Sequence, residues 1–135
     1  MNYVLDTNIL IKYLKDDPNV LQNFDDAFVN NCNFIIPKAV DYELRRGFGI
    51  CPAKRKEAVY NILIQHCTIG ELDLDVWDYA TKVYIDLYNK GFTVGEIDML
   101  IGAFCLTYDY TLVTNNTNDF INIDGIKLVD WTQSL

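Results

Sequence analysis

Short runs of β-prone apolar residues recur along this chain, and between them the apolar positions change to helical spacing. That alternation limits the fold more than any other feature. Tyr3-Val4-Leu5 is a strand-like run closed by Asp6, and Ile9, Leu10, Ile11 and Leu14 then follow the period of a helix. Asn33-Phe34-Ile35-Ile36 reads as a second buried strand, with Pro37 suited to the first turn of a helix that carries Val40, Glu43 and Leu44. The unit repeats after Gly47 and Gly49, with a helix near 53–66, a weak strand near 67–71, and a helix from Asp75 to Asn89 stopped by Gly91. Ile97, Leu100, Ile101, Phe104 and Cys105 fall at i, i+3, i+4, i+7 and i+8, the clearest amphipathic helix in the chain. Thr111-Leu112-Val113 and Ile126-Lys127-Leu128 supply the last two strands. Strands alternating with helices predict an α/β fold built on a parallel sheet covered on both faces.

No linker, low-complexity tract or internal repeat divides the sequence, and 135 residues suit a single domain spanning 1–135. Half of the residues are apolar and 22% are charged, which excludes a disordered or fibrous chain. Cys32, Cys51, Cys67 and Cys105 are widely spaced and form no C-x-x-C pair, so reduced, mostly buried thiols are expected instead of a zinc or redox motif. Asp6 interrupts the apolar opening and no basic segment precedes it, so no secretory signal is expected. No apolar run reaches membrane-spanning length, and a cytoplasmic location with no membrane partner follows as the expectation. Phe48, Tyr60, Tyr79 and Tyr84 are candidates either for an interface or, as most aromatics at helical spacing are, for the core, and Trp77 and Trp131 are likewise expected in the core.

A formal charge of -8 argues against a nucleic-acid binder, since polyanions are normally held by Lys and Arg. The distribution changes that argument. Residues 1–60 carry eight basic and eight acidic side chains, whereas 61–135 carry three and eleven. Arg45, Arg46, Lys54, Arg55 and Lys56 form a basic stretch that either holds phosphates or is ordinary solvated surface.

Ligands of an open parallel sheet gather beyond the carboxyl ends of its strands. Asp6 closes the first strand, and the segment from Thr114 to Asp119 follows another, so both should reach the same edge. Glu43 lies beside Val40 and Leu44, and Asp98 beside Ile97 and Ile101, so each flanks a buried stripe. Carboxylates gathered beside a core repel one another, and a hard dication with oxygen ligands removes the conflict. His66, the sole histidine, is not required. The competing interpretation of each acid alone is structural: an Asp after a strand is often a helix cap, and a helical Glu is often merely solvated.

The segments Leu5-Asp6-Thr7-Asn8, Tyr42-Glu43-Leu44, Ile97-Asp98-Met99-Leu100-Ile101 and Leu112-Val113-Thr114-Asn115-Asn116, in that order, resemble the PIN-domain ribonucleases, in particular the VapC type of toxin. The closing residues Asp119-Phe120, Ile123, Gly125-Ile126, Leu128 and Asp130-Trp131 extend the resemblance over nearly the whole chain. It implies a three-layer α/β/α domain with a parallel sheet in the order 3-2-1-4-5 and an acidic pocket at its carboxyl edge. It implies further that Asp6, Glu43 and Asp98 are the principal metal-site acids for Mg²⁺ or Mn²⁺, with Asp119 as a fourth. Asn8, Thr114 and Asn116 match supporting positions, Asn8 as a residue that orients Asp6. Glu96 either supplements the site or is an exposed carboxylate at the helix's positive end, the second being favoured by the dipole. The implied activity is hydrolysis of RNA, of transfer or ribosomal type, to 5′-phosphate and 3′-hydroxyl ends. The implied partners are a cognate antitoxin, operator DNA through that antitoxin alone, and a second copy in a homodimer. A non-catalytic RNA- or protein-binding scaffold of the same fold is the alternative. A haloacid-dehalogenase-like phosphatase also places an Asp after its first strand, but the second Asp it needs two residues later is here Asn8.

Overall fold

The computed structural model describes residues 1–133. Its sheet forms from β1 (Asn2–Leu5), β2 (Asn33–Pro37), β3 (Thr68–Gly70), β4 (Thr111–Val113) and β5 (Lys127–Val129), in the order β3-β2-β1-β4-β5. Every pairing is parallel; Val4 lies opposite Ile35 on one side and Leu112 on the other. Successive strand residues face opposite sides of a sheet, yet Val4 and Leu5 are both fully buried, as are Leu112 and Val113. Helices therefore cover both faces, and the strands read as continuous apolar runs because neither face meets water.

The helices are α1 (Thr7–Leu14), α2 (Pro18–Val29), α3 (Lys38–Ile50), α4 (Lys54–Ile64), α5 (Leu74–Lys90), α6 (Glu96–Tyr108) and the single turn α7 (Thr117–Phe120). The predicted elements are present within a few residues of their expected bounds. Gly91 ends α5 in the left-handed conformation, φ 80°, which spares a Cβ from steric conflict. Among the described residues, no helix is long and apolar enough to cross a membrane.

Several expectations are corrected. Residues 15–32, to which the spacing assigned no element, contain α2. Asp17 caps it by accepting from the amides of Asn19 and Val20, and Pro18 stands in its first turn. Its buried side chains include Asn23, whose amide donates to the carbonyls of Trp131 and Gln133 and so ties α2 to the chain's last described segment. Pro37 closes β2, paired with Gly70, instead of entering the helix. Helix α3 runs on through Gly47 and Gly49 to Ile50. Trp131 is core as expected, its ring 5.0 Å from both Tyr3 and Phe24, but Trp77 is 50% exposed. Of the thiols, Cys105 is buried, Cys32 and Cys67 are half-buried, and Cys51 is exposed.

A second buried acid, Asp41, joins α3 to α4. It accepts from the Tyr60 hydroxyl at 2.8 Å and pairs with Lys38 at 3.0 Å and Arg45 at 3.4 Å. The Arg45 guanidinium also lies 5.1 Å from the centre of the Tyr60 ring and donates to Asn61. Burial pushes the Asp41 pKa up, but the Tyr60 hydroxyl and the two cations outweigh it and the net shift is downward. The stabilisation is therefore present above the unfolded carboxylate value and lost as pH falls through the lowered one. Tyr60→Phe should destabilise the fold by about 1–3 kcal/mol, since a buried carboxylate loses its donor. Arg46→Ala, on the exposed side of α3, should change stability by less than ~0.5 kcal/mol. Urea unfolding of the two variants at neutral pH measures the contrast, and equal effects would mean that the clamp contributes nothing.

Candidate active site

Asp6 follows the last residue of the central strand, and its backbone amide continues the ladder by donating to Val113 O at 3.1 Å. Only 3% of it is exposed. It is formally the cap of α1, but it does not cap as the other aspartates do. Asp17 and Asp73 accept from amides two or three residues onward, which is the usual geometry. Asp6 Oδ1 instead takes the amide of the adjacent Thr7 at 2.8 Å, and Oδ2 takes the Thr114 hydroxyl at 2.8 Å. Its carboxylate is aimed by these two donors across the edge of the sheet, and helix capping does not account for it.

Thr114, fully buried, begins the loop after β4, and its hydroxyl accepts from the Asn116 amide at 3.0 Å. Of the predicted supporting residues, Thr114 thus contacts Asp6 directly and Asn116 acts through its backbone. Asn8, expected to orient Asp6, makes no hydrogen bond to it among the described residues; Thr7 and Thr114 do that. Thr7 is the residue the sequence analysis missed, although it stands inside the Asp-Thr-Asn motif. Its hydroxyl donates to Glu43 Oε1 on α3 at 2.6 Å. Asn115, next to Thr114, leaves its Oδ1 buried with no hydrogen-bond partner.

Asp98 lies in the first turn of α6, half-buried, and Asp119 is exposed on α7. The helix terminus favours an ionised Asp98. Burial, together with the charges of Asp6, Asp119 and Glu43, nevertheless pushes its pKa up to about 6. Asp6 is raised as well, first by burial; Thr114 and Thr7 oppose the shift, and the charges of Glu43 and Asp119 add to it. The four predicted acids are therefore brought within electrostatic range of one another. Glu96 is exposed and lines a cleft with Trp77, Tyr84 and Met99.

Among the described residues, no Lys or Arg pairs with any of the four acids, and Arg45 and Arg55 of the basic stretch are committed to Asp41 and Asp16. Nor do three or more His, Cys, Asp or Glu side chains among them form a ready-made metal cage. The donor chemistry itself fits Mg²⁺ or Mn²⁺. It offers hard oxygens without His or Cys, an unsatisfied amide oxygen beside Thr114, and repulsion that a cation relieves. An ion that keeps several of its waters does not require a closed cage.

The raised Asp98 pKa has a definite consequence for stability. The folded chain takes up a proton more readily than the unfolded one, so stability declines as pH rises from about 4 towards about 6 and is level beyond. Asp98→Asn should stabilise the metal-free protein by about 1 kcal/mol near pH 7.5, after a discount for solvent screening of a half-exposed group. Near pH 4 the gain should vanish. Urea titrations at the two pH values test this, and an equal gain at both would show that charge repulsion is not the cause.

Comparison with known proteins bears on the same edge of the sheet. Ribonuclease VapC2 of Rickettsia felis is 28% identical over 134 residues, covering 97% of this chain and 98% of that protein. The tRNA(fMet)-specific endonuclease VapC of Salmonella typhimurium is 27% identical over 134 residues, with 97% and 98% covered. The crystal structure of VapBC2 from Rickettsia felis bound to a promoter DNA fragment contains a chain that superposes with a TM-score of 0.88 at 26% identity, covering 97% of this chain and 99% of that one. The PIN domain family model matches residues 3–126, from the strand that delivers Asp6 to the segment beyond Asp119, and the chain belongs to that family.

Proposed function

We propose that this protein is a metal-dependent endoribonuclease and the toxin of a toxin–antitoxin pair. The single observation that carries this reading is the placement of Asp6. It is buried, held by the Thr7 amide on one oxygen and the Thr114 hydroxyl on the other, and raised in pKa first by burial and then by the charges of Glu43 and Asp119. The names of the relatives, a ribonuclease and a tRNA(fMet)-specific endonuclease, support RNA as the substrate and transfer RNA as one candidate, with ribosomal RNA a candidate from the family resemblance alone.

Asp6, Glu43 and Asp98 would hold Mg²⁺ or Mn²⁺, with Asp119 contributing. When bound, such an ion supplies a water of lowered pKa and neutralises charge on phosphate oxygens. The chain's own contributions are positional. Thr114 and the Thr7 amide fix the two oxygens of Asp6, while burial excludes bulk water from that carboxylate. Glu43 has one oxygen tied to Thr7, which leaves the other available to an ion. Asp119, exposed on its single turn, would contribute to a second ion or to an ordered water. No protein nucleophile is needed, and kinship with the PIN-domain ribonucleases implies products with 5′-phosphate and 3′-hydroxyl ends.

A cleavage assay on transfer and ribosomal RNA tests the reading directly. Mg²⁺ should support cutting, a chelator should stop it, and Asp6→Asn should abolish it while folding stays near normal. Cyclic 2′,3′-phosphate products would contradict the scheme, as would undiminished turnover by Asp6→Asn. No cleavage under any metal condition would leave the scaffold alternative.

An antitoxin partner is supported by the VapBC2 complex among the structural relatives and by the charge of -8, which favours a basic peptide. Contact with operator DNA would come through that partner. A second copy is the proposed occupant of the outer face of α5. There Leu74, Trp77, Tyr84, Ile85 and Tyr88 are each at least half exposed and recur at helical spacing, a stripe that a lone domain rarely leaves in water. Light scattering should report a dimer for the purified chain, and Trp77→Asp with Tyr84→Asp should yield a folded monomer. A dimer unaffected by both changes would place the interface elsewhere.

A further inference from the structure

We infer that Thr7 is a positioning residue that locks the Glu43 carboxylate in its working orientation, and that the site requires its hydroxyl. This rests on the nuclease reading for its purpose, though not for its geometry. Thr7 touches two of the acids at once. Its amide donates to Asp6 Oδ1 at 2.8 Å and its hydroxyl to Glu43 Oε1 at 2.6 Å, from the start of α1 to the middle of α3. A hydroxyl has one proton to give, and here a charged acceptor takes it at short range, the stronger class of hydrogen bond.

Helix α1 does not need that hydroxyl. Its cap is Asp6, it is anchored by the buried Ile9, Leu10 and Leu14, and among the described residues the Thr7 hydroxyl bonds to no atom of its own helix. Glu43 needs it for two reasons. Glutamate has three rotatable side-chain bonds and this one is only half-buried, so water is within reach. The charge of Glu43 also bears on Asp6 and Asp98, and that mutual repulsion drives an untethered carboxylate outward. Threonine suits the tether better than a longer donor would, because its branched Cβ limits χ1 to few states and aims the hydroxyl in advance. The two short bonds bind the relative positions of Asp6 and Glu43 before any ion arrives.

Thr7→Val preserves the branch and volume but removes the donor, and Thr7→Ser preserves the donor. In the full chain without metal, side-chain carbon couplings should report one Glu43 rotamer for the unaltered protein and for Thr7→Ser, and averaged rotamers for Thr7→Val. Calorimetric titration with Mn²⁺ should show affinity reduced by about 10–100-fold in Thr7→Val, the scale on which groups that orient ligands act, with Thr7→Ser recovering most of it. Melting temperatures without metal separate this from unfolding, since they should agree among the three. A single Glu43 rotamer with unaltered Mn²⁺ affinity in Thr7→Val overturns the proposal, and so does a lowered melting temperature with the rotamer still fixed. Should the unaltered protein neither bind Mn²⁺ nor cut RNA, the nuclease reading fails, while the rotamer comparison still decides what Thr7 does.

Discussion

The carboxyl edge of the sheet depends on one carboxylate held where water cannot solvate it. Asp6 follows β1, the central strand, with β2 and β4 on either side and helices over both faces, so its surroundings are protein in nearly every direction. The same residue at the end of an edge strand would be hydrated. Two neutral donors, the Thr7 amide and the Thr114 hydroxyl, replace part of the lost hydration but bring no countercharge. The raised pKa expresses the remainder. A group kept in this state lowers the stability of the isolated chain, and such strain persists at a site that uses it.

Asp41 supplies the internal comparison. Its surface is as hidden as that of Asp6, 5% exposed against 3%, but Asp6 lies deeper in the protein and burial weighs more heavily on it. Asp41 has Lys38, Arg45 and the Tyr60 hydroxyl, and its pKa falls; Asp6 has only neutral donors and acidic neighbours, and its pKa rises. Burial alone does not mark a functional acid. The sign of the charges around it separates the two, Asp41 as a structural clamp between α3 and α4 and Asp6 as the centre of the proposed metal site. Both types of acid lie in the first half of the chain, where positive and negative residues balance, so neither is visible from net charge.

The sheet was legible because its strands, buried on both faces, are unbroken apolar runs, and α6 because its stripe is long. Residues 15–32 were opaque for a physical reason. Helix α2 puts Asn23 in its buried set beside Val20, Phe24 and Ala27, and that amide is satisfied by carbonyls more than a hundred residues away, which no local pattern foretells. Trp77 misled because helical spacing cannot distinguish a stripe facing the core from one facing outward. The acids were identifiable from their places at strand ends and beside buried stripes. Thr7 was not, since a threonine after a strand-end Asp is an ordinary helix start, and its hydroxyl acquires meaning only once α3 brings Glu43 to it. Asn8 was named in its place from resemblance, and the adjacent amide does the work instead.

Helix α6 explains how an acidic pocket and an apolar stripe coexist so close together. Met99 and the run from Ile101 to Cys105 are all buried, so along this stretch the helix has little surface left for charge. A helix enclosed to that degree presents charged groups only near its ends. The first turn of α6 carries two acids, Glu96 and Asp98, two positions apart and so on different sides of the helix. Asp98 faces the carboxylates of Asp6, Glu43 and Asp119, and Glu96 faces the cleft it shares with Trp77 and Tyr84 on α5. Trp77, Tyr84 and Ile85 of the α5 stripe share that cleft with Glu96 and Met99, so part of the stripe borders the start of α6. One turn of α6 thus sends one acid towards the exposed aromatic cleft and the other towards the acidic cluster, which keeps the two surfaces apart while they remain neighbours.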